Sequence, residues 1–139
     1  MRKKHRIIID TNLWISFLLT KKFSFLDNLL GTGNVKLVFS NELLSEFLDV
    51  VRRPKLQGYF TEENLRMLLS IMYRYAYFVE VSSHLNECRD EKDNFLLSLA
   101  KTSSAHYLIT GDNDLLVLKK FCKTKIITMA EYKKVSKII

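Results

Sequence analysis

Four acidic side chains stand at places along the chain where a fold could bring them together. Each follows a predicted strand, begins a predicted helix or borders the apolar stripe of a helix: Asp10, Glu46, Asp93 and Asp112. Carboxylates gathered in one cleft repel one another, so either some take up protons or a cation lies among them. Oxygen ligands without His or Cys at metal spacing select a hard ion, Mg²⁺ or Mn²⁺.

Metal held by carboxylates can bind phosphate oxygens, activate a water and stabilise the leaving oxygen of an in-line displacement. The chain has 22 Lys and Arg against 15 Asp and Glu, a net charge of +7. This balance favours a polyanionic partner such as nucleic acid, or an acidic protein, although a solvated basic surface explains the charge equally well. The acids and the charge together indicate metal-dependent phosphodiester hydrolysis.

Each acid also has a purely structural interpretation. Asp10 and Asp93 are good helix N-caps, with Asp90 a competitor for the second cap. Asp112 and Asp114 are typical turn residues or caps, and Glu46 could be a solvated residue at the edge of its helix's apolar stripe. For a single acid the structural interpretation is the stronger one, and a site is favoured only because four acids share the pattern.

The elements that must position these acids alternate between strand and helix. Three isoleucines at residues 7–9 are typical of a buried strand in a parallel sheet, and this strand stops at Asp10. We predict further strands at residues 35–39, 77–81, 106–110 and 125–128, and helices at 13–19, 23–30, 41–53, 62–75, 95–101, 115–121 and 129–135. This order predicts an α/β fold, a three-layer α/β/α sandwich with a mainly parallel sheet of four to five strands. Strand ends and helix starts share one edge of such a sheet, where α/β sheets place their sites.

Length and composition limit the alternatives. With 139 residues and neither a repeat nor a linker, residues 1–139 are expected to form a single domain. No apolar run approaches the roughly 20 residues of a membrane span, and no secretory leader is evident, so we expect a cytoplasmic protein without a membrane partner. Cys88 and Cys122 lie far apart, which gives no indication of a disulfide or zinc site. The three histidines are scattered and are interpreted as structural.

Four stretches, in their order and spacing, resemble the PIN-domain family. Within it the chain is most similar to the toxin components of prokaryotic toxin–antitoxin systems, relatives of the VapC-type ribonucleases. The similarity spans about residues 6–130. The stretches that carry it are Ile7–Asn12, Ser45–Glu46, Arg89–Ala100 and Tyr107–Leu116.

The resemblance implies a PIN-like three-layer sandwich and a Mg²⁺- or Mn²⁺-dependent endoribonuclease, commonly held inactive by an antitoxin and often a homodimer. Carried over residue by residue, it implies that Asp10, Glu46, Asp93 and Asp112 are the catalytic, metal-binding acids. Two further positions, Asn12 and Thr110, match polar residues that support such a site, and Asp90 matches a nearby acid. All of the acids of the family pattern are therefore represented.

Basic residues after the Asp112 segment are candidates for contacts with RNA phosphates, with solvated lysines the equally good alternative: Lys119, Lys120, Lys123 and Lys125. The long helix at residues 62–75 is apolar over more than one stripe; core packing explains most of this, and a dimer or antitoxin surface is the alternative. A non-catalytic RNA- or protein-binding module on the same fold is the second functional hypothesis. A phosphotransfer domain is disfavoured for two reasons. Haloacid-dehalogenase-like enzymes need a second acid where this chain has Asn12. Response-regulator receivers need an acidic pair at strand one to hold Mg²⁺, and this chain has none there.

Overall fold

A computed structural model describes residues 5–31, 34–81 and 91–138. The strands are β1 His5–Ile9, β2 Val35–Phe39, β3 Ala76–Phe78, β4 Tyr107–Ile109, β5 Lys120–Phe121 and β6 Thr124–Ile127. The helices are α1 Thr11–Thr20, α2 Phe23–Leu30, α3 Asn41–Val51, α4 Glu62–Tyr75, α5 Glu91–Ser103, α6 Asn113–Leu116 and α7 Met129–Ile138, with a 3₁₀ turn at Pro54–Leu56.

The strands form one six-stranded sheet in the order β3-β2-β1-β4-β6-β5. Every pairing is parallel except that of β5 with β6. The predicted α/β fold with a mainly parallel sheet is therefore confirmed. The sheet has one strand more than predicted, because β5 turns back on β6 as a short hairpin.

The middle of the sheet is β1, which pairs with β2 on one side and β4 on the other. Its three isoleucines, Ile7, Ile8 and Ile9, are all at most 1% exposed. Since successive strand side chains point to opposite faces, their burial means that both faces of the sheet are covered. Trp14 of α1 contacts Phe39 of β2, with ring centroids 5.8 Å apart, so α1 packs against the strand beside β1.

The C-terminal helix also packs on the sheet. Tyr132 of α7 is fully buried and meets Tyr107 of β4 edge to face, with ring centroids 5.7 Å apart. Burial, and to a lesser degree the neighbouring Tyr107, raises the pKa of Tyr132 to about 12. Its hydroxyl is therefore neutral at physiological pH. No helix within the described ranges is long and apolar enough to cross a membrane.

The structure differs most from the predicted elements at three places. The helix predicted at residues 115–121 ends at Leu116, and the chain then enters the β5–β6 hairpin through Lys119, whose φ of 62° is left-handed. The third strand is Ala76–Phe78, earlier and shorter than residues 77–81, because it pairs only with β2 at the sheet's edge. Helix α5 already includes Glu91, so Asp93 lies in its first turn and is not its N-cap.

Candidate metal centre

The centre of the candidate site is the shared carboxyl edge of β1 and β4. These strands pair in parallel with Ile9 opposite Ile109. Asp10, the residue that follows β1, donates its backbone N–H to the Ile109 carbonyl at 3.0 Å. Two segments separated by about a hundred residues therefore place Asp10 and the Thr110–Asp112 turn side by side.

Thr110 joins these two segments through its hydroxyl group. The Thr110 Oγ1 donates to Asp10 Oδ2 at 2.7 Å and accepts the backbone N–H of Asp112 at 3.0 Å. Thr110 and Asp10 are only 1% and 2% exposed. A buried carboxylate held by a hydroxyl has a fixed orientation, so Thr110 sets the direction in which the other oxygen of Asp10 points.

Three carboxylates converge at this edge. One oxygen each from Asp93, Asp112 and Asp114 lies within 4.8 Å of the others. Mg²⁺ and Ca²⁺ bind oxygens at 2.0–2.6 Å, so two ligands on opposite sides of one ion are about 4–5 Å apart. The spacing is therefore compatible with one small divalent ion. We call Asp93, Asp112 and Asp114 the acidic triad.

The members of the acidic triad come from two elements. Asp93 is 1% exposed and lies in the first turn of α5, where the positive end of the helix dipole stabilises a negative charge. Asp112 is half-buried and caps α6, its Oδ1 accepting the backbone N–H of Asp114 at 2.9 Å. Asp114 is exposed. The triad thus combines one buried anchor with two ligands on the solvent side.

Asp10 and Glu46 are not members of the triad, but they lie along the same edge. Glu46 of α3 is half-buried and accepts the hydroxyl of Thr11 at 3.3 Å. Thr11 directly follows Asp10 and is buried. Glu46 therefore reaches from the apolar stripe of α3 towards the end of β1, as its position at the stripe's edge suggested.

The other predicted site residues differ in their exposure and in whether they contact the acids. Asn12 is exposed, and its backbone N–H rather than its side chain contacts Asp10, at 3.5 Å. Asp90 lies outside the described residues. The four candidate lysines are all exposed, on the β5–β6 hairpin and its approach, and Lys120 faces Lys125 across the two strands: Lys119, Lys120, Lys123 and Lys125.

Asp114 is the residue that sequence reasoning missed. It was interpreted only as a turn residue or cap, and the structure does place it in the first turn of α6. The available signal was the Asp-Asn-Asp spacing directly after a buried strand. Two acids separated by one residue across a tight turn can point into the same volume, as Asp112 and Asp114 do here.

Replacing Thr110 with Val removes both hydrogen bonds while keeping the side chain's shape. We expect this change to weaken Mn²⁺ binding by 10- to 100-fold, the usual cost of losing a group that orients metal ligands. Calorimetric titration with Mn²⁺ measures the effect. Thr110→Ser keeps the hydroxyl and is the matched control; equal affinities for the Val and Ser proteins would mean that Thr110 does not orient the site.

Comparison with known proteins identifies the family of this chain. The family described as PIN domain matches residues 6–114, well over half of the chain and including Asp10, Glu46 and the acidic triad. An uncharacterized protein of Methanocaldococcus jannaschii is 32% identical over 120 residues, covering 84% of this chain and 76% of the relative. No solved structure matches the chain. PIN domains are generally nucleases, and the acidic cluster is of the kind that binds their divalent metals. The chain belongs to the PIN domain family.

Proposed function

We propose that this protein is a Mg²⁺- or Mn²⁺-dependent endoribonuclease that hydrolyses phosphodiester bonds of RNA. The observation that carries the proposal is the acidic triad at the carboxyl edge of the sheet, with the buried Asp10 joined to it through Thr110. Three carboxylates this close repel one another in the absence of a cation, and a divalent ion among them removes that repulsion.

The donor set fits a hard divalent ion. The triad offers only carboxylate oxygens, which suit Mg²⁺ and Mn²⁺ rather than the softer metals that prefer nitrogen or sulfur. Asp93, Asp112 and Asp114 would hold the ion, and Asp10 would supply a further oxygen from a side chain whose orientation Thr110 sets. When bound, the ion supplies Lewis-acid chemistry, polarising the scissile phosphate and lowering the pKa of a water.

Glu46 is the residue best placed to handle the attacking water. It is half-buried, and the Thr11 hydroxyl holds one of its oxygens, Oε2. A carboxylate restrained in this way can orient a water or accept its proton. We assign Glu46 this role at the edge of the metal centre, with metal binding as its alternative role.

The substrate is proposed from charge and from the family resemblance. The net charge of +7 favours a polyanion. Of the four exposed lysines, Lys119 lies nearest to the carboxyl edge, because its carbonyl accepts the backbone N–H of Ile126, and it can neutralise a phosphate of a strand entering the site. Lys120 and Lys125 are level with Tyr107, at the amino end of β4, and Lys123 lies in the turn beyond them. The similarity to VapC-type ribonucleases points to RNA rather than DNA.

We further propose a toxin role within a toxin–antitoxin pair, with an antitoxin protein as partner, a homodimeric state and a cytoplasmic location. The support is the same resemblance, together with exposed apolar side chains on α4. Met67 is 47% exposed and Tyr73 is 57% exposed, and a partner protein that binds α4 would bury both side chains.

Removal of metal tests the proposed reaction. The purified protein is expected to cut labelled single-stranded RNA with Mn²⁺ or Mg²⁺, to stop in EDTA and to recover when the ion is restored. Asp10→Asn should lose cleavage, while Asp49→Asn, an exposed acid on the same helix as Glu46, should retain it. Robust cleavage by the Asp10→Asn protein would point to a contaminating nuclease or to a different site. RNA binding that persists in EDTA without any cleavage would replace this proposal with the non-catalytic binding module.

A further inference from the structure

A cavity lies along the same sheet edge as the metal centre. Its volume is about 390 Å³, and it is lined by Asn41, Glu42, Phe78, Val79 and Glu80. These residues follow β2 and end β3, so they share the carboxyl edge at which Asp10 follows β1. The volume lies within the range of small-molecule pockets, roughly 300–1,000 Å³.

Two relationships place this cavity close to the proposed chemistry. Glu42 is one helical turn before Glu46 on α3, so the two side chains share a face with Cβ atoms about 5–6 Å apart. Phe78 of β3 pairs with Phe39 of β2. The β1–β2 register, continued by two residues, places Phe39 opposite Ile9 at the end of β1. Two strand spacings, roughly 10 Å, then separate Phe78 from the end of β1. A short run of single strand bridges that distance.

Phe78 gives the cavity an aromatic wall. Its side chain is 46% exposed although it belongs to the sheet, and its ring is backed by Tyr73 at 6.3 Å and by Phe39 at 6.1 Å between centroids. A half-exposed ring that is supported by two other rings can serve as a stacking platform. Proteins that bind single-stranded RNA stack unpaired bases on such rings.

The polar lining determines which part of a nucleotide fits. Glu42 and Glu80 are both exposed acids, and their charges repel a phosphate. Carboxylates instead accept hydrogen bonds, as they do from the exocyclic amino group of cytosine. Uracil presents a carbonyl oxygen at that position, which would face the carboxylates without a proton. The cavity therefore suits a base that carries an amino group.

We propose that the cavity is a base-binding subsite, in which an unpaired base of the RNA stacks on Phe78 and its amino group hydrogen-bonds to Glu42 or Glu80. The subsite selects amino-bearing bases over uracil at a position near the cleaved phosphodiester. This inference rests on the proposed ribonuclease function, because the RNA strand that it reads is the substrate of the acidic triad.

Binding of short single-stranded oligonucleotides in EDTA tests the subsite without any need for cleavage. Fluorescence anisotropy with oligo-C and oligo-U of equal length compares two pyrimidines that differ in the amino group. The wild-type protein is expected to bind oligo-C about tenfold tighter. Phe78→Ala should weaken oligo-C binding by about tenfold, and Phe78→Trp should restore it.

Two matched controls separate the subsite from general effects. Tyr77→Ala removes the neighbouring exposed aromatic residue, which packs under Lys36 and does not line the cavity. The double change Glu42→Gln and Glu80→Gln should reduce the preference for cytosine, because an amide can also donate to the uracil oxygen. Glu62→Gln and Glu63→Gln make the same change in charge at the start of α4 and should leave the preference intact.

The outcomes distinguish this inference from the function on which it rests. Equal affinity of the wild-type protein for oligo-C and oligo-U, or an unchanged preference after Phe78→Ala, would overturn the subsite even if the protein cuts RNA in Mn²⁺. A tenfold preference for oligo-C that depends on Phe78, in a protein that cuts no RNA, would support the subsite and contradict the proposed ribonuclease function. Tyr77→Ala should keep the preference for oligo-C; loss of the preference in Tyr77→Ala as well as in Phe78→Ala, without recovery in Phe78→Trp, would overturn the subsite.

Discussion

Asp93→Asn is expected to reduce the kcat/KM for metal-dependent RNA cleavage on the order of a thousandfold, equivalent to about 4 kcal/mol of transition-state stabilisation. Asp93 is the buried member of the acidic triad, at 1% exposure, whereas Asp112 is half-buried and Asp114 is exposed. An amide keeps the size of the side chain but removes the charge that a divalent ion requires. The loss should persist at high Mn²⁺ concentration, because neither neighbouring acid can replace a buried ligand.

The same substitution separates function from folding. The Asn side chain has nearly the same volume as Asp, and one negative charge fewer in the acidic triad lowers the repulsion within it. The lower repulsion offsets the lost interaction of the Asp93 charge with the dipole of α5, so we expect the metal-free Asp93→Asn protein to resist urea about as well as the metal-free wild type. Asp49→Asn, at an exposed position on α3, should leave both cleavage and stability unchanged. Full activity of the Asp93→Asn protein would place the reaction elsewhere.

The second large effect is stabilisation of the native state by metal. At a Mn²⁺ concentration a hundredfold above the dissociation constant, the free energy of unfolding should rise by roughly 2.7 kcal/mol, since the ion binds the native state only. Thermal unfolding with and without Mn²⁺ measures the change, with Asp112→Asn combined with Asp114→Asn as the variant that should lose it. A wild-type melting temperature that does not move at millimolar Mn²⁺ would argue against a formed site.

The sequence predicted those parts of the fold that depend on strong local patterns. Three consecutive isoleucines identify β1, and short strand-like patterns at residues 35–39, where apolar and polar residues alternate, and at residues 106–110 identify the two strands that flank it. The β5 strand was not predicted, because it has only two residues and the apolar segment before it also fits a helix, which was predicted at residues 115–121. The backbone at Lys119 and Cys122, with φ of 62° and 53°, determines this turn and leaves no clear signal in the sequence.

The candidate site was predictable in outline but not in detail. Asp10 and Asp112 were identified because each follows a buried strand, and topology alone brings such ends together. The hydroxyl of Thr110 that connects them depends on a pairing of β1 with β4 across about a hundred residues, and no local pattern encodes such a contact. Asp114 was hidden because Asp and Asn are common in turns and caps for reasons unrelated to metal.

Direct titration of the metal-free protein with Mn²⁺ tests the central claim, that acids distant in sequence form one divalent metal site. Isothermal titration calorimetry of the wild type should show saturable binding, and Asp93→Asn should abolish it while Asp49→Asn should leave it unchanged. Saturable binding that is equal in the wild-type and Asp93→Asn proteins, or its absence from the wild type, would contradict the account.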